Sequence, residues 1–119
     1  MILHVVLFAP MDSLSPAQRQ QVLDAVTRAA TRCPGVRGAR LGRRVRHGLP
    51  GYEQAMRVDY QYALMLEFDD LQGLQEYLTH PEHAKAGGFF ASAAESALAY
   101  DYETVSLGEA HTLLDRVRG

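Results

Sequence analysis

The residues with most chemistry to offer gather at Tyr77-Leu78-Thr79-His80-Pro81-Glu82-His83, which brings a phenol and two imidazoles into one short stretch. Pro81 disfavours helical geometry at His80, so a helix carrying Tyr77 stops there and His83 opens a new segment. A helix end is a rigid place from which to aim side chains. His4 and Asp101 lie far away in sequence but reach the same place in the topology argued below. Asp101 accepting a hydrogen bond from one ring nitrogen of His83 would fix the tautomer and leave the other nitrogen as a general base. Orientation by a carboxylate is the logic of hydrolytic triads, although no Ser or Cys nucleophile accompanies it here. Tyr77 would then donate to a developing enolate oxygen, and His4 would orient a second oxygen of the ligand. That chemistry is proton abstraction next to a carbonyl followed by aldol closure or elimination, and it requires no cofactor.

Each of these residues also has a plainer use. His4 fits a satisfied core histidine, and Tyr77 a packed ring with its hydroxyl on a backbone carbonyl. His80 fits a cation at the negative end of a helix dipole; His83 with Asp101 fits a structural lock. The spacing His80-Pro81-Glu82-His83 also suggests a metal, but Pro81 spoils the single-face helix geometry and no HExxH motif or cysteine pair accompanies it. No metal is expected.

At 119 residues and 47% apolar, the chain is long enough to bury one core without disulfides or a structural metal. A net charge of -2 with mixed signs gives no global field of the kind nucleic-acid binders use, so no nucleic-acid partner is expected. Cys33 is the lone cysteine, and its place late in a helix before Pro34-Gly35 fits a buried small hydrophobe. The opening Ile2-Leu3-His4-Val5-Val6-Leu7-Phe8 has no basic n-region and is too short to span a membrane, so a cytoplasmic protein is expected.

The elements that must position the site follow from pattern. Residues 2–9 read as a strand apolar on both faces, ended by Pro10, with His4 the one polar exception on the face of Ile2, Val6 and Phe8. Ser15-Pro16-Ala17-Gln18 reads as a capping box with proline at the first helical position, and Val22, Val26, Ala29 and Cys33 form the inward stripe of a helix that Pro34-Gly35 stops. Residues 36–45 read as a second strand whose Arg37, Arg40, Arg43 and Arg44 suit a sheet edge. An anion site is the alternative for those arginines. Residues 46–57 form a long loop, and 58–68 a third strand, again apolar on both sides. Asp69 or Asp70 caps a helix carrying Leu71, Leu74 and Leu78. Beyond the focal stretch come a flexure at Gly87-Gly88, a short helix over 89–95, and a fourth strand over 98–105 with Tyr100, Asp101 and Tyr102. A domain over 1–105 is thus followed by an extension over 106–119. In it Ser106 and Glu109 suggest a second capping box, and Leu107, Ala110, Leu114 and Val117 an amphipathic helix lying on the domain or on a partner.

The order βαββα(α)β is the split-βαβ, ferredoxin-like arrangement: an α+β fold with one four-stranded sheet and helices on one face. It puts strands 1 and 3 in the centre and 2 and 4 at the edges. The two strands that are apolar on both sides are thus the central ones, yet the helices cover only one face. A second copy must cover the other, which predicts a sheet-to-sheet homodimer, a dimeric α/β barrel.

Together, His4-Val5-Val6-Leu7-Phe8, Cys33-Pro34-Gly35-Val36, the block from Leu66-Glu67-Phe68-Asp69 to Tyr77-Leu78-Thr79-His80-Pro81-Glu82-His83, and Tyr100-Asp101-Tyr102 resemble the stress-responsive dimeric α/β-barrel (Dabb) family. The likeness covers residues 2 to about 105. It implies ferredoxin-like protomers that pair through their sheets, without a cofactor. One plant member of that family is a polyketide cyclase, and the resemblance to it places a catalytic histidine on His83, its carboxylate partner on Asp101, a pocket tyrosine on Tyr77 and a second pocket histidine on His4. The 46–57 loop and the tail from Ser106 depart from the family pattern. Three uses stay open: a dimer with an apolar pocket that binds or cyclises a small polyketide-like or aromatic ligand, a non-catalytic stress-related dimer, and a cofactor-independent monooxygenase, against which the HPxH block argues.

Overall fold

The computed structural model describes residues 1–52 and 56–115. The chain runs β1 (Ile2–Pro10), α1 (Pro16–Arg32), β2 (Val36–Arg43), β3 (Tyr62–Phe68), α2 (Leu71–Leu78), α3 (Pro81–Ala93) and β4 (Ala94–Glu103), then a 3-10 turn over Leu107–Glu109 and a short helix α4 (Ala110–Asp115). The strands form one antiparallel sheet in the order β2-β3-β1-β4, so the two strands with apolar residues on both faces are indeed central. This is the ferredoxin-like α+β fold.

Register decides which side chains face the helices. His4 lies opposite Leu66 on β3 and Asp101 on β4, and Phe8 opposite Tyr62, so the even positions of β1 share the core face with Leu64, Leu66 and Phe68. Leu66 and Phe68 are fully buried there, against Ala25 and Ala29 of α1, its C-cap Cys33, and Leu74 and Tyr77 of α2. Leu3, Val5 and Leu7 take the opposite face with Ala63, Met65 and Leu98, and Tyr100 and Tyr102 stand exposed on that same side.

The helix starts behave as their sequences dictate. Ser15 and Gln18 exchange backbone and side-chain hydrogen bonds of 2.8 and 3.1 Å, with Pro16 at the first turn. At α2 the cap is Asp70, which accepts from the Gly73 amide, while Asp69 pairs with Arg37. Gly35 allows a close approach: a Cβ there would sit 3.1 Å from the Gly73 backbone, so a larger residue would push the turn into β2 and α2 apart by a few tenths of an ångström.

Several expectations need correcting. The helix after the HPxH block begins at Pro81 and continues through Gly87 and Gly88 to Ala93; there is no flexure, and residues 94 and 95 belong to the strand. Pro81 ends one helix and starts the next, because its fixed φ and missing N–H suit a first helical position. The third strand starts at Tyr62, and Val58 is exposed outside it. In the tail, Ser106 makes no side-chain cap, and Leu107 and Leu114 stay exposed while Ala110 and Leu113 are partly covered. Val117 lies outside the described residues, as do positions 53–55 of the 46–57 loop. The base of that loop is closed by Arg44 and Arg46, both paired with Asp59 at 2.7 and 2.5 Å. Arg37 and Arg44 are each engaged by a different aspartate, which leaves neither free for an anion.

Candidate functional site

His4, Tyr77, His83 and Asp101 come together at one end of the layer between sheet and helices. β1 carries His4 onto the core face, and the antiparallel register sets Asp101 of β4 directly beside it. α2 delivers Tyr77 from its last turn, and the first turn of α3 delivers His83. The Tyr77 ring sits between the imidazoles, with centroids 5.7 Å from His4 and 4.8 Å from His83 and both contacts edge-on, while Phe68 backs it at 5.5 Å.

The pairing inside this cluster differs from the one expected. Asp101 hydrogen-bonds His4, not His83: His4 Nδ1 and Asp101 Oδ1 are 2.5 Å apart. Adjacent antiparallel strands place these two side chains on the same face at the same level, and that proximity wins. His4 itself is buried, whereas the Asp101 side chain is 40% exposed and opens that end to solvent. With the carboxylate accepting from Nδ1–H, Nε2 of His4 is the nitrogen left for a ligand.

His83 is half-buried and turned inward toward Tyr77. Burial holds its pKa below the ordinary histidine value; a hydrogen bond to the Leu78 carbonyl works the other way, and nearby His4 adds to the depression. At neutral pH the ring is uncharged, and the Leu78 carbonyl takes the orienting role expected of Asp101. Tyr77, only 3% exposed, has its pKa pushed up to about 12 by burial first and by Cys33 second, so it remains a neutral phenol able to donate.

Two neighbours were not legible as part of this environment. Glu82 is buried and binds Arg32 at 3.2 Å, with Arg28 and Lys85 close by. Burial alone would push its carboxyl up; Lys85, Arg32 and Arg28 outweigh that and hold it below the usual glutamate value. The carboxylate thereby ties the start of α3, and His83 with it, to α1. The signal available in the sequence was Arg28 and Arg32 one turn apart on α1, but no spacing rule connects them to a residue fifty positions on. His80 is the N-cap of α3, its Nδ1 accepting from the Glu82 amide at 3.1 Å, rather than a cation at the end of α2. Among the described residues no group of three or more His, Cys, Asp or Glu side chains could hold a metal ion.

A cavity of about 160 Å³ lies at the other end of the same layer, between Phe8, Val22, Val26, Tyr62 and Phe90, and none of the four cluster residues lines it. His4 and Phe8 are four residues apart on β1, roughly 13 Å at strand rise.

The family model of the stress-responsive A/B barrel domain (Dabb) matches residues 2–104. The chain belongs to the Dabb family. Among solved structures, the Dabb chain resembles the Arabidopsis thaliana protein At3g17210 with a TM-score of 0.72 at 20% identity, over 90% of this chain and 98% of that one. A Bacteroides fragilis protein described as dimeric, ferredoxin-like and of unknown function matches with a TM-score of 0.60 at 28% identity, over 87% and 95%. The hydroxynitrile lyase of Passiflora edulis matches with a TM-score of 0.69 at 18% identity, over 88% and 96%, which shows a shared fold. No curated protein matches the sequence. Among the described residues, no helix is long and apolar enough to cross a membrane.

Proposed function

We propose that this Dabb protein is a homodimer that uses the His4–Tyr77–His83–Asp101 cluster for cofactor-independent proton transfer on a small polyketide-like or aromatic carbonyl ligand. The observation that carries the reading is the pairing of two differently prepared imidazoles on one phenol: His4 fixed by Asp101 at 2.5 Å, His83 kept neutral by burial. His83 is the base, taking a proton from the carbon next to the ligand carbonyl through the ring nitrogen not engaged by Leu78. Tyr77 donates to a ligand oxygen as enolate charge develops, while Nε2 of His4, whose Nδ1–H is given to Asp101, accepts from a ligand hydroxyl and so orients a second oxygen. Aldol closure or elimination then consumes the enolate. The reading is supported by the likeness of these four residues to those of olivetolic acid cyclase and by the lyase among the structural neighbours.

Homodimerisation rests on the open sheet face, where Leu3, Val5 and Leu7 of a central strand meet no helix, and on the dimeric relatives. Pairing there leaves the helix side, with the cluster, free for a ligand. The cytoplasm is the compartment proposed for it.

The test is turnover of a linear poly-β-keto thioester by wild type, His83→Ala and Tyr77→Phe. Loss of turnover with a nearly unchanged melting temperature supports the reading. A second reading, a non-catalytic dimer, draws on the tight packing of Tyr77 between Phe68 and the two histidines. It predicts that the same changes lower the melting temperature and that no carbonyl ligand raises it.

A further inference from the structure

We propose that the arm joining β2 to β3 is a docking element for a second copy of this chain, and that the hollow between its two legs, residues 44–52 and 56–60, receives the partner's Tyr100 and the partner's Tyr102. This rests on the homodimeric reading and says where the two copies grip. The hollow, of about 340 Å³, is lined by Arg44 and His47 and by Val45, Tyr52, Met56 and Val58. The last four are 44–79% exposed on one protomer, a cluster of large apolar groups of the kind that marks an interaction surface. The hollow lies on the sheet face that no helix covers. Tyr62 faces the helices and pairs with Arg43, so alternation turns Arg44 to the uncovered side. Tyr60 also lines the hollow, and its hydroxyl accepts from Ser96 at 3.3 Å, on the face that Ser96 shares with Leu98, Tyr100 and Tyr102. The hollow is therefore continuous with the apolar face of Leu3, Val5 and Leu7.

Size, charge and shape each favour a second copy as the occupant. A cavity of about 150 Å³ takes benzene, so about 340 Å³ has room for two rings, and Tyr100 and Tyr102 stand as a pair with centroids 6.4 Å apart. Residues 43–60 carry four arginines against Glu53 and Asp59, whereas 94–115 carry Glu95, Asp101, Glu103, Glu109 and Asp115 with no Lys or Arg, so the two segments attract. The protomer is 22 Å thick, one sheet and one helix layer, but 47 Å long where a nine-residue strand covers roughly 30 Å, so chain outside the sheet reaches past its rim. The hollow lies beyond the end of the sheet where Arg43 meets Tyr62, and Tyr102 stands at the opposite corner, on β4 beside Leu3. A two-fold axis in the interface brings one corner onto the other only along the remaining diagonal. The two sheets then cross at near right angles, and each contact is made twice.

The test is sedimentation equilibrium on the full chain, comparing wild type with Tyr102→Ala, Met56→Ala and the double variant. Both positions are exposed on the protomer, so the far-UV circular dichroism should not change. Each single change is expected to weaken dimerisation at least about tenfold, the range of a residue that anchors an interface. The double variant should lose less than the product of the two, as residues in contact do. Independently, Val45→Cys and Tyr102→Cys placed in one chain should give a covalent dimer under mild oxidation, because opposite corners of one protomer are too far apart to bond within it. A dimeric wild type that either alanine change weakens by less than that, or a cysteine pair that does not cross-link, overturns this inference and leaves the homodimer standing. A monomeric wild type overturns both.

Discussion

Asp101 carries the most informative difference between sequence and structure at the scale of single residues. The composition of the cluster was legible, since His4, Tyr77, His83 and Asp101 do meet. Who bonds whom was not, because antiparallel register sets Asp101 beside His4 to within a hydrogen bond, and a pattern of residue types does not specify register that finely. Asp101→Asn should therefore change His4 first: the downfield proton resonance of a short Nδ1–H···O bond should vanish from the NMR spectrum, while the His83 signals shift little. Because Asp101 is 40% exposed, the stability lost should stay near 1 kcal/mol, below the value of a buried charged hydrogen bond. In turnover, Tyr77→Phe should cost about 10²–10³ in kcat if the phenol donates to an oxyanion.

His83 gives a pH signature. Its folded pKa is depressed, so the unfolded chain takes up a proton as pH falls through the ordinary value of about 6.5 while the folded ring does not. Stability is therefore lost as pH falls below that value, and the loss levels off once the folded ring protonates as well. Urea midpoints between pH 7.5 and 5 should fall in wild type and fall less in His83→Gln. Glu82, also depressed, loses its contribution only at lower pH, below the ordinary glutamate value of about 4.3, and does not confuse this window.

At the scale of elements, α1 and the central strands could be read closely because their patterns are long and periodic, and the capping box at Ser15 forms as spelled. α3 could not, because Gly87 and Gly88 look like a break. The helix persists through them since its start is fixed by His80 and Pro81 and by Glu82 bound to α1, and since α3 packs along α1. Both glycines are exposed, and a Cβ at either would meet nothing within 4 Å. Gly88→Ala should thus stabilise the protein by about 0.5–1 kcal/mol, read as a raised urea midpoint at unchanged slope. A loss of stability would mean that the backbone there is not helical. The start of β3 was misplaced for a related reason: the Val58-Tyr60-Tyr62 alternation continues the strand pattern, but Asp59 is held by Arg44 and Arg46, and the chain joins the ladder only at Tyr62.

For the whole molecule, strand order was readable from the order of elements, and the imbalance between two apolar sheet faces and one helical layer from hydrophobic period. The account depends most on that imbalance, because a sheet whose central strands are greasy on the uncovered side needs a twin. Val5 sits at the middle of that side, opposite Met65 and Tyr100. Light scattering coupled to size-exclusion chromatography, run on wild type and Val5→Glu at micromolar concentration, tests this most directly. Wild type is expected at twice the chain mass, and the charged variant at the monomer mass or in aggregates. A well-folded wild-type monomer that stays single as its concentration rises would contradict the account.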